Sequence, residues 1–252
     1  MNLKDKEVIV TRPYKTVYRD ADRIIKVFNP EHGKSNVFNE AHCQSIVEET
    51  GLDVAKVLEV TEVEGKWALS IERIQGRTLA SLMKEHPDQI KTYMEQFVDL
   101  QLEMHSKTAT QLPLQKEKFA AKIAETKEDV NATIRYELCT RLDSMPNHTK
   151  LCHGDFNPTN VIVGDDGKMT IVDWAHATQG NASGDAAGTY LQFALEDQKL
   201  ADLYLDLFCE KSDTAKQYVQ KWMPIVAAVQ LSKGIETERD FLMNWIDVID
   251  FQ

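Results

Sequence analysis

The stretch His153-Gly154-Asp155-Phe156-Asn157-Pro158-Thr159-Asn160, with Val172-Asp173-Trp174 a short way downstream, decides how this chain is read. Between the two lie two short apolar, β-branched runs, 160–163 and 169–172, separated by the turn Gly164-Asp165-Asp166-Gly167. Such a pattern predicts a hairpin, and a hairpin brings Asp155, Asn160 and Asp173 toward one end. Each residue alone has a bland explanation: an aspartate capping a turn, an asparagine in an Asx turn, an aspartate ending a strand. Taken together they are a carboxylate able to accept a proton and two hard oxygen donors of the kind Mg²⁺ takes.

The histidines of the same segment open a competing reading. His153 lies two residues before Asp155 and His176 three after Asp173, so a His/Asp metal site, as in a metallohydrolase, can also be drawn from it. The structural reading of His153 is a hydrogen bond within its own loop.

Toward the N-terminus, short β-branched runs alternate with turn signals. Strands are predicted at Glu7 to Thr11, Thr16 to Arg19, Arg23 to Phe28, Val57 to Val63 and Trp67 to Arg73, with Asp20-Ala21-Asp22 and Glu64-Gly65 closing hairpins. Between the hairpins, Ser35 to Glu49 has helical periodicity, with Val37, Glu40, Gln44 and Val47 on one stripe. Strand alternation puts Lys26 on the same face as Ile24 and Phe28. A lysine there needs an anion, and Glu40 on the following helix can supply one. Gly33-Lys34-Ser35 imitates the end of a P-loop, but Phe28 stands where that motif needs its first glycine, so it is only a half-motif. The Thr11 to Arg19 hairpin contains no glycine; Lys15 and Thr16 are its candidate phosphate contacts.

From Thr78 onward the pattern is mainly helical. Helices are predicted after Pro87, and at Lys116 to Glu128, Ala132 to Asp143, Asp185 to Glu196, Ala201 to Cys209, Thr214 to Lys233 and Glu238 to Asp250, with the 160–172 hairpin as the one β interruption. The expected division is an N-terminal lobe, 1–76, ending in a hinge at Glu72 to Gly76, and a C-terminal helical lobe, 77–252.

Composition narrows the class. The 252 residues carry 29 Lys plus Arg against 40 Asp plus Glu, a formal charge of -11, which is the wrong sign for wrapping nucleic acid. Eleven glycines and seven prolines are too few for a low-complexity chain and favour helix. Cys43, Cys139, Cys152 and Cys209 are widely spaced, with no C-x-x-C pair, so neither a zinc ribbon nor a disulfide framework is indicated. No apolar run is long enough to span a bilayer and the first residues lack a signal-peptide core, so no membrane partner and a cytoplasmic location are expected.

With these residues assembled, the chain resembles the aminoglycoside phosphotransferase and choline kinase-like group of small-molecule kinases. The resemblance rests on Lys26 and Glu40, the hinge-like Ile71 to Leu79, Met104-His105, the 153–160 loop and Val172-Asp173-Trp174; the five-residue and thirteen-residue spacings from Asp155 to Asn160 to Asp173 match a kinase catalytic loop and metal site. It implies a protein-kinase-like α+β fold of two lobes, one a small antiparallel sheet and the other mainly helical. It further implies transfer of the γ-phosphate of ATP, with GTP an open alternative, to a hydroxyl of a small molecule in the presence of Mg²⁺. In that scheme Asp155 is the base, Asn160 and Asp173 hold Mg²⁺, Lys26 binds the α/β-phosphates and is held by Glu40, and the backbone of Glu72 and Ile74 contacts adenine. Asp185 supports the loop. For the acceptor, Glu236, Glu238, Asp240, Asp247 and Asp250 with Trp222 and Trp245 would suit an amino sugar or a choline-like amine; for any one of them taken singly, a solvated helix face over a tryptophan-anchored core is the preferred reading. A nucleotide-binding module without catalysis is the remaining alternative.

Overall fold

A computed structural model describes residue 3 and residues 5–246. In chain order the first elements are strands β1 (Glu7–Thr11), β2 (Lys15–Asp20) and β3 (Arg23–Phe28), helix α1 (Lys34–Glu48), and strands β4 (Val57–Val63), β5 (Lys66–Glu72) and β6 (Arg77–Thr78). Helices α2 (Leu79–Glu85), α3 (Ile90–His105), α4 (Gln115–Glu125) and α5 (Ala132–Ser144) follow. Next come β7 (Lys150–Cys152), β8 (Val161–Val163), β9 (Met169–Ile171) and β10 (Thr178–Gly180). The chain continues with α6 (Ala182–Glu196), α7 (Gln198–Ser212), α8 (Lys216–Gln220), α9 (Met223–Leu231) and α10 (Arg239–Ile246). Among the described residues no helix is long and apolar enough to cross a membrane.

The chain forms two compact units. The first comprises the residues up to Leu82 together with Thr159–Ala177; the second comprises Met83–Pro158 and the residues from Thr178 on. The 153–160 loop therefore passes from one unit to the other at Pro158-Thr159.

In the first unit five antiparallel strands run in the order β1-β2-β3-β5-β4. The β4–β5 hairpin closes through Glu64 and Gly65, both with positive φ, the backbone twist that two-residue hairpins favour. Alternation along the strands sorts two apolar faces. Phe28, Leu69 and Ile71 pack with Val37 and Ala41 of α1, while Ile25, Val27, Val63 and Ala68 form a separate cluster. The predicted α1 stripe of Val37, Glu40, Gln44 and Val47 is buried. A smaller sheet, β6-β8-β9, carries the predicted catalytic hairpin. Gly76 is required where the segment before β6 crosses β8: a Cβ there would lie 2.2 Å from the Val163 carbonyl oxygen, at φ +145°.

The second unit is helical, with one two-stranded sheet, β7 with β10, that the sequence pattern does not predict. These strands are three residues each, too short to show alternation. One helix prediction also needs correction. The helix expected over Thr214 to Lys233 is two helices, α8 and α9, because Pro224 starts a new helix after Lys221-Trp222. The helix expected from Glu238 is α10, which is described to Ile246; Asp247 and Asp250 lie outside the described residues.

Candidate active site

In the first unit one face of β2 and β3 assembles an ion cluster. Lys26 stands opposite Val17 across the β2–β3 ladder, and Lys15, two residues before Val17, shares its face. Lys26 Nζ donates to Glu40 Oε1 at 2.5 Å and to Asp173 Oδ1 at 2.6 Å. Lys15 Nζ lies 3.8 Å from the same two oxygens. Lys15, Lys26 and Glu40 are all buried, whereas the Asp173 side chain is 37% exposed. Burial alone would lower the Lys26 pKa, but the charges of Asp173 and Glu40 outweigh it and raise the pKa above its ordinary value. Lys15 goes the other way: burial and the field of Lys26 lower its pKa against the pull of Asp173 and Glu40.

The hairpin holds the oxygen donors at one end. Val172 N–H donates to the Asn160 carbonyl at 2.9 Å, tying the strand end before Asp173 to Asn160. Asp173 itself sits in the left-handed region, φ 68° and ψ 61°, a conformation uncommon for a residue other than glycine, although aspartate tolerates it. This turn sends its carboxylate to Lys26. Thr16 does not join the cluster, because alternation along β2 sends its side chain to the other face from Lys15. At the hinge, Ile74 packs on the α1-side core, and Glu72 is exposed with its N–H donating to the Lys56 carbonyl at 2.8 Å.

The second unit holds Asp155. Its support begins at the N-terminus of α6, where Asn181 caps the helix through its side chain and its backbone N–H donates to Gln115 Oε1 at 2.9 Å. Gly180 makes room for that buried glutamine, since a Cβ there would overlap its side chain. With the helix start fixed, Asp185, Thr189 and Gln192 fall at i, i+4 and i+7 on one stripe facing the loop. Asp185 accepts from Gly154 N–H at 2.7 Å and His153 N–H at 3.2 Å, and it pairs with His105 Nε2 at 3.0 Å. Its burial would raise the carboxyl pKa, yet the His105 contact and the Gly154 N–H hold it below the ordinary value. Thr189 Oγ1 donates to the Phe156 carbonyl at 2.8 Å, and Gln192 Nε2 donates to Asp155 Oδ1 at 2.9 Å.

The loop adds its own bonds. Gly154 takes φ 79°, and Asp155 N–H donates to His153 Nδ1 at 3.2 Å, so the fully buried His153 has the structural part expected of it. Neither His153 nor His176 belongs to a cluster of three metal-capable groups among the described residues. The one such cluster is His105, Cys152 and Asp185. There Asp185 is already satisfied by N–H donors, and burial pushes the Cys152 thiol well up, away from the thiolate that a metal needs.

A partly open cavity lies beside Asp155, lined by Phe119, Phe156, Gln192, Val226 and Lys233 among others. Lys233 Nζ lies 3.5 Å from Asp155 Oδ1. Of the acidic residues suggested for an acceptor pocket, the described ones, Glu236, Glu238 and Asp240, do not line it. Asp240 is fully exposed beside Arg239, Glu236 is exposed, and Glu238 accepts from Gln230 Nε2 at 3.1 Å. Trp222 is buried against Phe119, and Trp245 stacks edge-on with Tyr190. Gln192 and Lys233, both in contact with the candidate base Asp155, are residues that the sequence pattern does not single out. Their only sequence signals are a polar position on the Asp185 stripe and a lysine before the glycine that ends a helix.

Comparison with solved structures agrees with this architecture. A thermostable mutant of aminoglycoside phosphotransferase APH(4)-Ia in its apo form superposes with a TM-score of 0.73 at 15% identity, covering 97% of this chain and 93% of that one. A variant of the same enzyme, solved as a ternary complex with AMP-PNP and hygromycin B, gives 0.70 at 15% identity, with 97% and 92% covered. Choline kinase LicA from Streptococcus pneumoniae gives 0.67 at 17% identity, with 96% and 90% covered. Among curated proteins none matches the chain. The model of the phosphotransferase enzyme family matches residues 11–218. That match spans most of the 252 residues, so the chain belongs to the phosphotransferase enzyme family and is a small-molecule kinase of protein-kinase-like fold.

Proposed function

We propose that the protein transfers the γ-phosphoryl group of Mg²⁺-bound ATP to a hydroxyl of a small molecule. The observation that carries this reading is Lys26, a buried ammonium kept charged between Glu40 and Asp173. A buried cation poised next to a solvent-reachable carboxylate suits a site that receives phosphate oxygens together with a metal. Lys26 binds the α/β-phosphates, held by Glu40, and Lys15 supplies a second positive charge on the same face. Thr16 can contribute only through its backbone, and the backbone of Glu72 and Ile74 takes the adenine, or guanine if GTP is the donor.

The carboxamide oxygen of Asn160 and the carboxylate of Asp173 are the hard donors that fit Mg²⁺. When bound there, Mg²⁺ would supply positive charge that offsets the phosphates' negative charge. Asp155 orients the acceptor's hydroxyl and takes its proton on the carboxylate. The acceptor oxygen bonds to the γ-phosphorus as the bond to the departing ADP breaks. The related structures point the same way, one holding AMP-PNP with hygromycin B and another being a choline kinase.

The test is Asp155→Asn assayed beside the wild type. The variant should keep its thermal stabilisation by Mg-ATP and lose about 10²- to 10⁴-fold in turnover, the usual worth of a general base. Undiminished turnover would sink the assignment. Nucleotide binding by the wild type without product from any acceptor would favour the non-catalytic module instead.

A further inference from the structure

We propose that the acceptor carries an anionic group, a carboxylate or a phosphate, close to the hydroxyl that is phosphorylated, and that Lys233 binds it. This deepens the kinase reading above and rests on it. Among the described residues, the charged groups lining the cavity are Asp155, Asp185 and Lys233. Asp185 is unavailable to a ligand, because its two oxygens already meet Gly154 N–H, His153 N–H and His105 Nε2 inside the second unit. What remains is one carboxylate, Asp155, with one ammonium 3.5 Å away.

With Asp185 engaged, an amine-bearing acceptor finds no available carboxylate among the described lining residues besides the base itself. It also meets the field of Lys233, and like charges across a binding contact oppose association. The amides do not alter this. Gln192 Nε2 points to Asp155, and Gln230 Nε2 is held by Glu238. The rest of the wall includes Phe119, Phe156, Val226 and Val229, apolar surface that lowers the local dielectric beside the charges.

Lys233 is built to serve in this way. It follows the last turn of α9, where its N–H donates to the Gln230 carbonyl at 3.0 Å and Gly234, at φ 69°, ends the helix. Its backbone is thus fixed while its side chain, 41% exposed, reaches the cavity. An acceptor anion that pairs with Lys233 draws the ammonium from Asp155 Oδ1.

The test uses matched acceptors that differ in charge: glycerate against ethanolamine, gluconate against glucosamine, with glycerol and glucose as neutral references. Phosphorylated product is measured for the wild type and for Lys233→Gln, and Mg-ATP stabilisation of the wild type is recorded in parallel. The wild type should favour the acids. Lys233→Gln should reduce the acid-to-amine ratio of kcat/KM by about 30-fold or more, as expected for truncating one partner of a charge pair, chiefly through a higher KM for the acid. A merely structural lysine would change both acceptors alike. A wild-type preference for the amines, a ratio unmoved by Lys233→Gln, or no product from any of the six overturns this inference. Absence of Mg-ATP stabilisation instead overturns the kinase reading beneath it.

Discussion

Replacing Asp185 with Asn tests the physical claim that one buried carboxylate fixes the catalytic loop. Two backbone N–H groups and an imidazole nitrogen converge on it, at 2.7, 3.2 and 3.0 Å. Hydrogen bonds to a charged acceptor contribute about 1.5–3 kcal/mol each. Asparagine keeps a single carbonyl oxygen and turns an NH₂ group toward one of the donors, so at least one N–H loses its partner. The expected loss is about 3–5 kcal/mol, as for breaking a buried charged contact from one side. At roughly 2–4 °C per kcal/mol for a domain of this size, the melting temperature should fall by about 6–20 °C.

The loss should also depend on pH in a defined direction. The Asp185 pKa is lowered in the folded protein, so its contribution is present above the ordinary value of 3.8 and disappears as pH falls through the lower folded value. Urea unfolding of wild type and variant from pH 7 down to pH 3 should show the two converging only in the acid range. Turnover should fall by about 10² or more as the loop loses its placement, since small displacements of reacting groups have large kinetic effects. A difference below about 1 kcal/mol at pH 7, or one that stays constant down to pH 3, would refute the reasoning.

Two further substitutions probe the first unit. Glu40→Gln removes one of the two anions that hold Lys26 and should cost about 2–4 kcal/mol at pH 7. Because the Lys26 pKa is raised, the cluster's contribution is fully present below the ordinary lysine value of 10.5 and is lost as pH climbs beyond it; equal alkaline unfolding profiles for wild type and variant would contradict this. Gly76→Ala should destabilise by about 3 kcal/mol or more, combining backbone strain at φ +145° with overlap of the Val163 carbonyl, and a change within about 0.5 kcal/mol by urea unfolding would show the crossing to be looser than described.

Much of this was legible in the sequence because the signals are local. Period-two alternation marked out the five-stranded sheet and put Lys26 on the helix face, and period 3.6 placed Glu40 on the stripe that faces it. The 160–172 hairpin was marked by its own turn residues. What sequence could not give depends on distant contacts. Strands β7 and β10 have three residues each and acquire meaning only by pairing with one another. Lys233 stands 78 positions from Asp155, and nothing in its neighbourhood distinguishes it from a surface lysine at a helix end. For the acidic C-terminal residues, charge composition says how many carboxylates there are but not which way they point; among the described ones Glu238 is turned to Gln230 and Asp240 to solvent.

The glycine-free turn between β1 and β2 has an entropic consequence. Its ends are joined by Arg12 N–H to the Lys15 carbonyl at 2.8 Å. Asn29 donates from its backbone to Tyr14 and from its side chain to Pro13, and the His32 ring stacks between Tyr14 and Phe28. A flexible glycine loop must give up about 1–2 kcal/mol per residue of backbone freedom when it settles on a ligand. This turn surrendered that freedom when the chain folded, so the phosphate proposed to bind at Lys15 would need little further ordering of it.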